Sequence, residues 1–79
     1  MEATINAEDA RILITADDFD GIVKLRMLSK KTKQILEENG VKTIADFRNM
    51  EFKFMEDLHL PVDEFDRVKA VQEFLMVNS

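Results

Sequence analysis

The residues of this 79-residue chain that are best suited to chemistry are the bases of segment 24–33. The segment holds five bases and no acid, and a glutamine follows it, so the candidate contact residues are Lys24, Arg26, Lys30, Lys31, Lys33 and Gln34. Cations near a helix N-terminus bind phosphate oxygens, which makes this segment a candidate nucleic-acid contact. The same charges would suit an acidic protein partner. A third interpretation is a solvated helix face that balances the acidic residues before it.

Two other groups of polar residues have the types, but not the spacing, of a metal or catalytic site. Residues 17–21 (DDFDG) look like the start of a calcium loop, yet the first and twelfth positions of an EF-hand would be Ala16 and Met27, which cannot ligate through side chains. His59 is the only histidine, and no nucleophile or second acid–base group stands at a catalytic spacing from it. The chain has no cysteine, which excludes thiolate chemistry. We therefore expect no enzyme activity, no metal or other cofactor and no small-molecule substrate.

Composition indicates a small folded domain whose charge is unevenly distributed. Hydrophobic residues make up 46% of the chain, which is ordinary for a globular domain, and the net charge is −5. Residues 1–23 hold six acids against one base, and residues 34–79 hold ten acids against five bases. The overall field therefore opposes binding to duplex DNA, because DNA binding rewards proteins that neutralise many phosphates.

The sequence shows neither the pattern of a signal peptide nor that of a membrane-spanning segment. The start of the chain lacks the basic and apolar parts of a signal peptide. The longest apolar run is too short to cross a membrane. We therefore expect a cytoplasmic protein that does not contact membranes.

Capping residues and apolar spacing predict an all-α domain, a compact bundle of four to five short helices. Ser29 is a good N-cap for a helix over residues 30–39, and Gly40 suits the left-handed position that closes a helix. Thr43 is placed to cap a short helix over residues 44–49. These two helices lie in the middle of the chain.

A further helical turn is predicted over residues 51–58. Its inward side chains, spaced three apart, are Phe52, Met55 and Leu58. Phe54 lies off this stripe, and Phe54 and Met50 are the candidates for exposure. Their exposure would indicate either a partner surface or the incomplete burial that is usual in a small domain.

The last helix is predicted over residues 63–77. Its apolar stripe consists of Phe65, Val68, Val71 and Phe74. A helix is favoured just after Pro61, and we expect Asp63 or Glu64 to begin it as the capping group. One core is expected to collect side chains from three helices: Leu36, Ile44, Phe47, Phe65 and Val68.

The first part of the chain is expected to be less regular. Residues 1–10 are polar and predict a flexible N-terminal arm, so that a single helical interaction domain spans residues 11–79. Residues 11–15 (RILIT) are too few for a helix of their own and predict extended chain laid on the core. Residues 16–21 (ADDFDG) predict a turn.

Residues 28–47 (LSKKTKQILEENGVKTIADF) carry the most specific pattern: a Leu-Ser start, an amphipathic run, a glycine stop and then Val-x-Thr-Ile-x-Asp-Phe. This pattern resembles the C-terminal domain of the bacterial RNA polymerase alpha subunit, a small helical domain that binds DNA and transcription factors. The similarity extends over residues 11–76, mainly as spacing outside the central part. It implies an all-α fold with an extended N-terminal arm. It also implies that Lys31 stands at the position of a DNA-contacting arginine and Gln34 at that of a DNA-contacting asparagine.

The same resemblance implies a helix–hairpin–helix connection at residues 59–64, where this chain departs from the family. The family's hairpin reads approximately Asn-Phe/Leu-Gly-Lys-Lys-Ser, whereas the residues here are His59, Leu60, Pro61, Val62, Asp63 and Glu64. Proline has no N–H to offer a phosphate, and two carboxylates replace groups that would bind one. The fold implied by the family therefore transfers better than its DNA binding.

Together these observations predict a non-catalytic protein–protein interaction module linked to transcription. The alternative is a DNA-binding domain that uses the basic face of residues 24–33. A subunit that only scaffolds a larger assembly is not separable from the first interpretation by sequence. We expect a protein partner, with duplex DNA disfavoured.

Overall fold

Five α-helices and one 3₁₀ turn make up the secondary structure of residues 5–78, the part of the chain that the computed structural model describes. In chain order they are α1 (Ala7–Thr15), the 3₁₀ turn (Ile22–Lys24), α2 (Lys30–Glu38), α3 (Ile44–Arg48), α4 (Phe52–Asp57) and α5 (Val62–Val77). The only strand-like pairing within these residues is an isolated antiparallel bridge between Gly21 and Thr43. The predicted all-α class is confirmed.

The N-terminal segment differs from the prediction, because residues 11–15 are helical and not extended. They form the second half of α1, which begins where the Asn6 side chain accepts a hydrogen bond from the Asp9 N–H at 2.8 Å. Asn6 followed by an acidic first turn is a regular helix start, and the prediction overlooked it. Within the predicted arm of residues 1–10, Ile5 packs against the core and residues 7–10 form the first turn of α1. Residues 1–4 of that arm lie outside the described part.

The caps predicted for the two central helices are confirmed. The Ser29 hydroxyl accepts from the Thr32 N–H at 3.1 Å, and Gly40 follows α2 with a φ of 90°, a left-handed conformation that glycine adopts without a Cβ penalty. Thr43 and Asp46 form a reciprocal capping box at the start of α3. Because these contacts lie within three residues of each other, they could be read from sequence.

The start of α5 differs from the prediction. Pro61, and not Asp63 or Glu64, is the N-cap residue, and α5 makes no side-chain capping hydrogen bond. Proline's restricted φ, here −55°, sets the backbone for a helix that begins one residue later. Asp63 and Glu64 then lie in the first turn, where they interact with the helix dipole. Their predicted role as the capping group is therefore wrong.

The core is organised around α5, which packs against both α1 and α3. Four of the five predicted core residues are buried, whereas Phe65 is half-buried against the core. The buried apolar residues are Leu13, Ile22, Leu25, Leu28, Leu36, Val41, Ile44, Phe47, Met55, Val68, Val71 and Leu75.

One buried polar side chain connects α5 to the end of α3. The Gln72 amide donates to the Met50 carbonyl at 2.6 Å and to the Arg48 carbonyl at 3.2 Å, with the Phe47 carbonyl at 3.5 Å. The last carbonyls of a helix have no partner within the helix. The Phe47 carbonyl also accepts backbone N–H groups of Asn49 and Met50, so the main effect of Gln72 is to supply a donor to the part-buried carbonyls of Arg48 and Met50. This contact fixes the path of the chain between α3 and α4.

We expect Gln72→Met to lower the free energy of unfolding by about 1–3 kcal/mol, because it keeps the packing volume and leaves buried carbonyls without a donor. Urea denaturation measures the change. Glu73→Met is the matched control, since Glu73 is exposed on the same helix. Equal stability of the Gln72→Met and Glu73→Met proteins would contradict the role of Gln72.

Candidate functional site

Three of the basic side chains predicted to contact a partner are held by neighbouring groups of the chain. Lys24 Nζ lies 2.9 Å from Asp20 Oδ2, and Arg26 Nη1 lies 3.5 Å from Glu8 Oε1. The Lys33 ammonium donates to a backbone carbonyl of the 3₁₀ turn at 3.5 Å. Exposed pairs of this kind contribute little to stability, yet they lower the positive charge that the segment presents.

The remaining bases lie in the first turn of α2. Lys30 and Lys31 are exposed, and neither makes an ion pair within residues 5–78. A cation at a helix N-terminus is opposed by the dipole, so an anion bound there would relieve that opposition. Gln34, one turn further on, donates to Glu38 at 3.3 Å, so its amide is engaged on its own helix.

The connection between α4 and α5 presents carboxylates instead of phosphate ligands. His59 adopts a left-handed backbone with a φ of 54°, and its N–H donates to the Glu56 carbonyl at 3.2 Å. Such a conformation costs a side-chain-bearing residue about 1–2 kcal/mol, which is why glycine is usual at the position after a helix. Exposed Asp63 follows shortly after on α5.

The fold brings this acidic segment towards the basic one. The Arg67 guanidinium donates to the Met27 carbonyl at 3.2 Å, so the turn that carries Arg26 lies against the N-terminal half of α5. Glu64 precedes Arg67 by three residues and therefore lies on the same side of the helix. Carboxylates thus interrupt the basic surface on this side.

A second candidate surface lies where α4 meets α5. The rings of Phe52 and Phe65 pack edge to face, with centroids 5.8 Å apart and planes at 84°. The Lys69 ammonium lies over both rings, 5.3 Å from the Phe52 centroid and 6.0 Å from that of Phe65. Phe52 is nevertheless 51% exposed, and Val62, one turn before Phe65, is 76% exposed.

The sequence prediction for these aromatic and methionine residues differs from the structure in three places. Phe52 was expected inside and is exposed, whereas Phe54 and Met50 were the candidates for exposure and are half-buried against the core. Because α4 has only six residues, a single inward position, Met55, is enough to attach it. The spacing of Phe65 and Lys69, four residues apart, was the available signal for this surface, but their contact with Phe52 depends on the tertiary fold.

The predicted turn over residues 16–21 is confirmed, and neighbouring groups anchor it. Asp18 pairs with Arg48 at 2.7 Å, and this hydrogen bond lowers the pKa of Asp18 and raises that of Arg48. The Asp17 N–H donates to Asp20 at 2.8 Å, and this bond, followed by that from Lys24, lowers the pKa of Asp20. The carboxylates of Asp18 and Asp20 are therefore engaged within the chain.

A shallow cleft lies between the end of α2, the end of α3 and the start of α4. It has a volume of about 370 Å³ and is lined by Asn39, Gly40, Val41, Asp46, Asn49, Met50, Glu51 and Phe54. Within residues 5–78, no three His, Cys, Asp or Glu side chains lie close enough together to hold a metal ion. No helix of the described residues is long and apolar enough to cross a membrane.

The chain was compared with protein-family models, curated proteins and solved structures. The chain matches no protein-family model, no curated protein and no solved structure at a significant level.

The capping box of α3 has a pH dependence that can be measured. Asp46 Oδ2 lies 3.3 Å from the N–H groups of both Lys42 and Thr43, and these backbone hydrogen bonds lower the pKa of the carboxyl below the usual 3.8. A lowered folded pKa means that the carboxylate stabilises the fold above its usual pKa. That contribution is lost as the pH falls through the folded value.

We therefore expect Asp46→Asn to be less stable than the unmodified protein near neutral pH, and the difference to shrink as the pH falls below 3.8. Urea denaturation midpoints from about pH 7 to about pH 3 provide the measurement. Glu37→Gln serves as control, because the Glu37 side chain is exposed and makes no hydrogen bond within residues 5–78. A difference between Asp46→Asn and the unmodified protein that stays constant across this range would count against the assignment.

Proposed function

We propose that the chain is a non-catalytic protein–protein interaction module linked to transcription. In this proposal α4, residues 58–61 and α5 act as a helix–hairpin–helix-like unit, as in the domain that residues 28–47 resemble. The observation that supports it most directly is the aromatic pair formed by exposed Phe52 and half-buried Phe65. We call this pair, together with Lys69 and Val62, the aromatic face.

The aromatic face has the composition of an interface centre. Aromatic residues are enriched at the centres of protein interfaces, where they supply most of the binding energy. The edge-to-face contact and the Lys69 ammonium restrict the Phe52 and Phe65 rings before any partner arrives. Less side-chain entropy is then lost on binding.

The absence of catalysis is part of the same proposal. His59 is exposed in the connection after α4, and the cleft of residues 39–54 is open to solvent. Neither arrangement supplies the enclosed, paired acid–base groups on which catalysis depends.

Site-specific photo-crosslinking tests the aromatic face. We expect a photoreactive phenylalanine analogue at position 52 to crosslink a discrete protein in the native cells, and the same analogue at exposed position 37 on α2 to yield none. Phe52→Ala should then weaken binding of the purified partner by about tenfold or more. Equal crosslinking from both positions, or unchanged affinity of Phe52→Ala, would contradict the proposal.

The second candidate function, DNA binding through residues 24–33, is supported by the two lysines in the first turn of α2 that pair with no acid of residues 5–78. We expect it to be weak. The opposing groups are the carboxylates of Asp63 and Glu64, Pro61 without an N–H, and the net charge of −5.

Fluorescence anisotropy with a short duplex across a salt series checks this expectation. Affinity near 150 mM salt should be no tighter than the roughly 10⁻⁴–10⁻⁶ M typical of non-specific binding. The combined change Pro61→Gly, Asp63→Lys and Glu64→Ser should raise it, and adding Lys31→Ala should remove the gain. Sub-micromolar binding by the unmodified protein would favour the DNA-binding function instead.

A further inference from the structure

We propose that the partner of the aromatic face is a second copy of this chain, bound through an antiparallel, twofold-symmetric contact between the two α5 helices. The inference rests on the proposed function, because it names the occupant of the same surface. It is carried by the order of charges along the outward side of α5.

The outward side of α5 alternates in charge beside an apolar residue. Val62, Asp66, Lys69 and Glu73 follow one another at intervals of four, three and four residues, which places them in one row along the helix. Asp66 and Glu73 are exposed, and Val62 is 76% exposed. The row therefore reads apolar, negative, positive, negative.

Lys69 is the one cation of this row, and it makes no ion pair within residues 5–78. Asp66 and Glu73 lie one turn away on either side, yet the ammonium is directed over the rings of Phe52 and Phe65. The carboxylate of Asp66 likewise makes no ion pair in the described part of the chain. Lys69 and Asp66 thus lie next to each other on one face of α5 and do not form an ion pair with each other.

A second copy of α5 complements this row. If the helices run antiparallel about a twofold axis near residues 67 and 68, Asp66 of one copy lies opposite Lys69 of the other, and the pair occurs twice. The same axis places Val62 of each copy opposite Glu73 of the other, so the complementary charges are the central ones and the ends of the row are not paired. A twofold contact uses the same patch on both copies, so neither patch is left free to bind a third copy and association ends at the dimer. The axis keeps the Phe52 rings of both copies on the same side of the helix pair, where they add apolar area.

Charge complementarity favours this occupant over an unrelated acidic or basic one. An acidic partner approaching Lys69 would meet Asp66 and Glu73, and a basic partner would meet Lys69. Elsewhere the chain is net acidic, so two copies repel except where a cation faces a carboxylate. The central Asp66 and Lys69 of the row therefore favour a partner that presents the same two charges in reverse order.

The size of the contact sets the expected affinity. The 16 residues of α5 span about 24 Å, and one helix face of about 10 Å width covers far less than the roughly 800 Å² per partner of a standard interface. We therefore expect a weak dimer, with a dissociation constant between about 10 µM and about 1 mM.

Sedimentation equilibrium with charge-reversal variants tests the contact. Asp66→Lys places cations opposite cations, Lys69→Asp places anions opposite anions, and each variant alone should associate at least about tenfold more weakly than the unmodified chain. Mixed in equal amounts, they form two opposite-charge pairs, so the weight-average mass should rise again towards that of a dimer. Glu37→Lys and Lys42→Asp change the net charge equally at exposed positions outside α5 and should leave association unchanged.

Three results would overturn the proposal: a mass that stays at the monomer's 9.2 kDa up to about 1 mM, equal weakening by the control variants, or a mixture that stays monomeric. Circular dichroism of each variant separates loss of association from loss of folding. A monomeric chain whose position 52 crosslinks a different protein would refute the second copy as occupant and leave the proposed function standing.

Discussion

The contact on which the arrangement of this small domain depends is the attachment of α3 to α5. Phe47 fills the centre of the core, and the Gln72 amide holds the carbonyls that follow it, including that of Met50 at 2.6 Å. Because the chain is pinned there, α4 can begin only a few residues later, beside the N-terminal half of α5. The position of Phe52 against Phe65 is a consequence of that constraint, as is the surface that the two rings form.

Interactions within three or four residues explain what could be predicted from sequence. Ser29, Gly40 and the Thr43 capping box each act on backbone groups of their own helix, so residue type and spacing were sufficient. Asn6 caps α1 by the same kind of local contact. The prediction missed this cap because it interpreted the short apolar run of residues 11–15 as extended chain. The aromatic face could not be predicted in this way, because Phe52 lies 13 residues from Phe65 and their contact depends on α4 being turned by the core.

Charge shows a similar division between local and long-range effects. The basic segment stands out in the sequence, but two of its bases pair with acids, one of them 18 residues away on α1. Conversely, α5 holds four acids and two bases, and the alternation of residues 66, 69 and 73 is not apparent from their order in the sequence. In the fold that alternation becomes a row on an exposed face, and the order of charges along the row matters more for recognition than their total.

A domain of this size cannot bury all six of its phenylalanines, since the fraction of surface removed from water falls as chains become shorter. Two rings are largely exposed in the described part of the chain: Phe19, in the turn of residues 16–21, and Phe52, on α4, where Met55 already occupies the inward position. Lys69 partly covers the exposed Phe52 ring, and its aliphatic stem and ammonium shield apolar area that would otherwise favour non-specific association. A carboxylate brought up by the correct partner would pair with that ammonium and leave the rings available for contact. The same lysine covers the Phe52 ring in the free chain and, in the proposed dimer, would pair with Asp66 of the second copy on association.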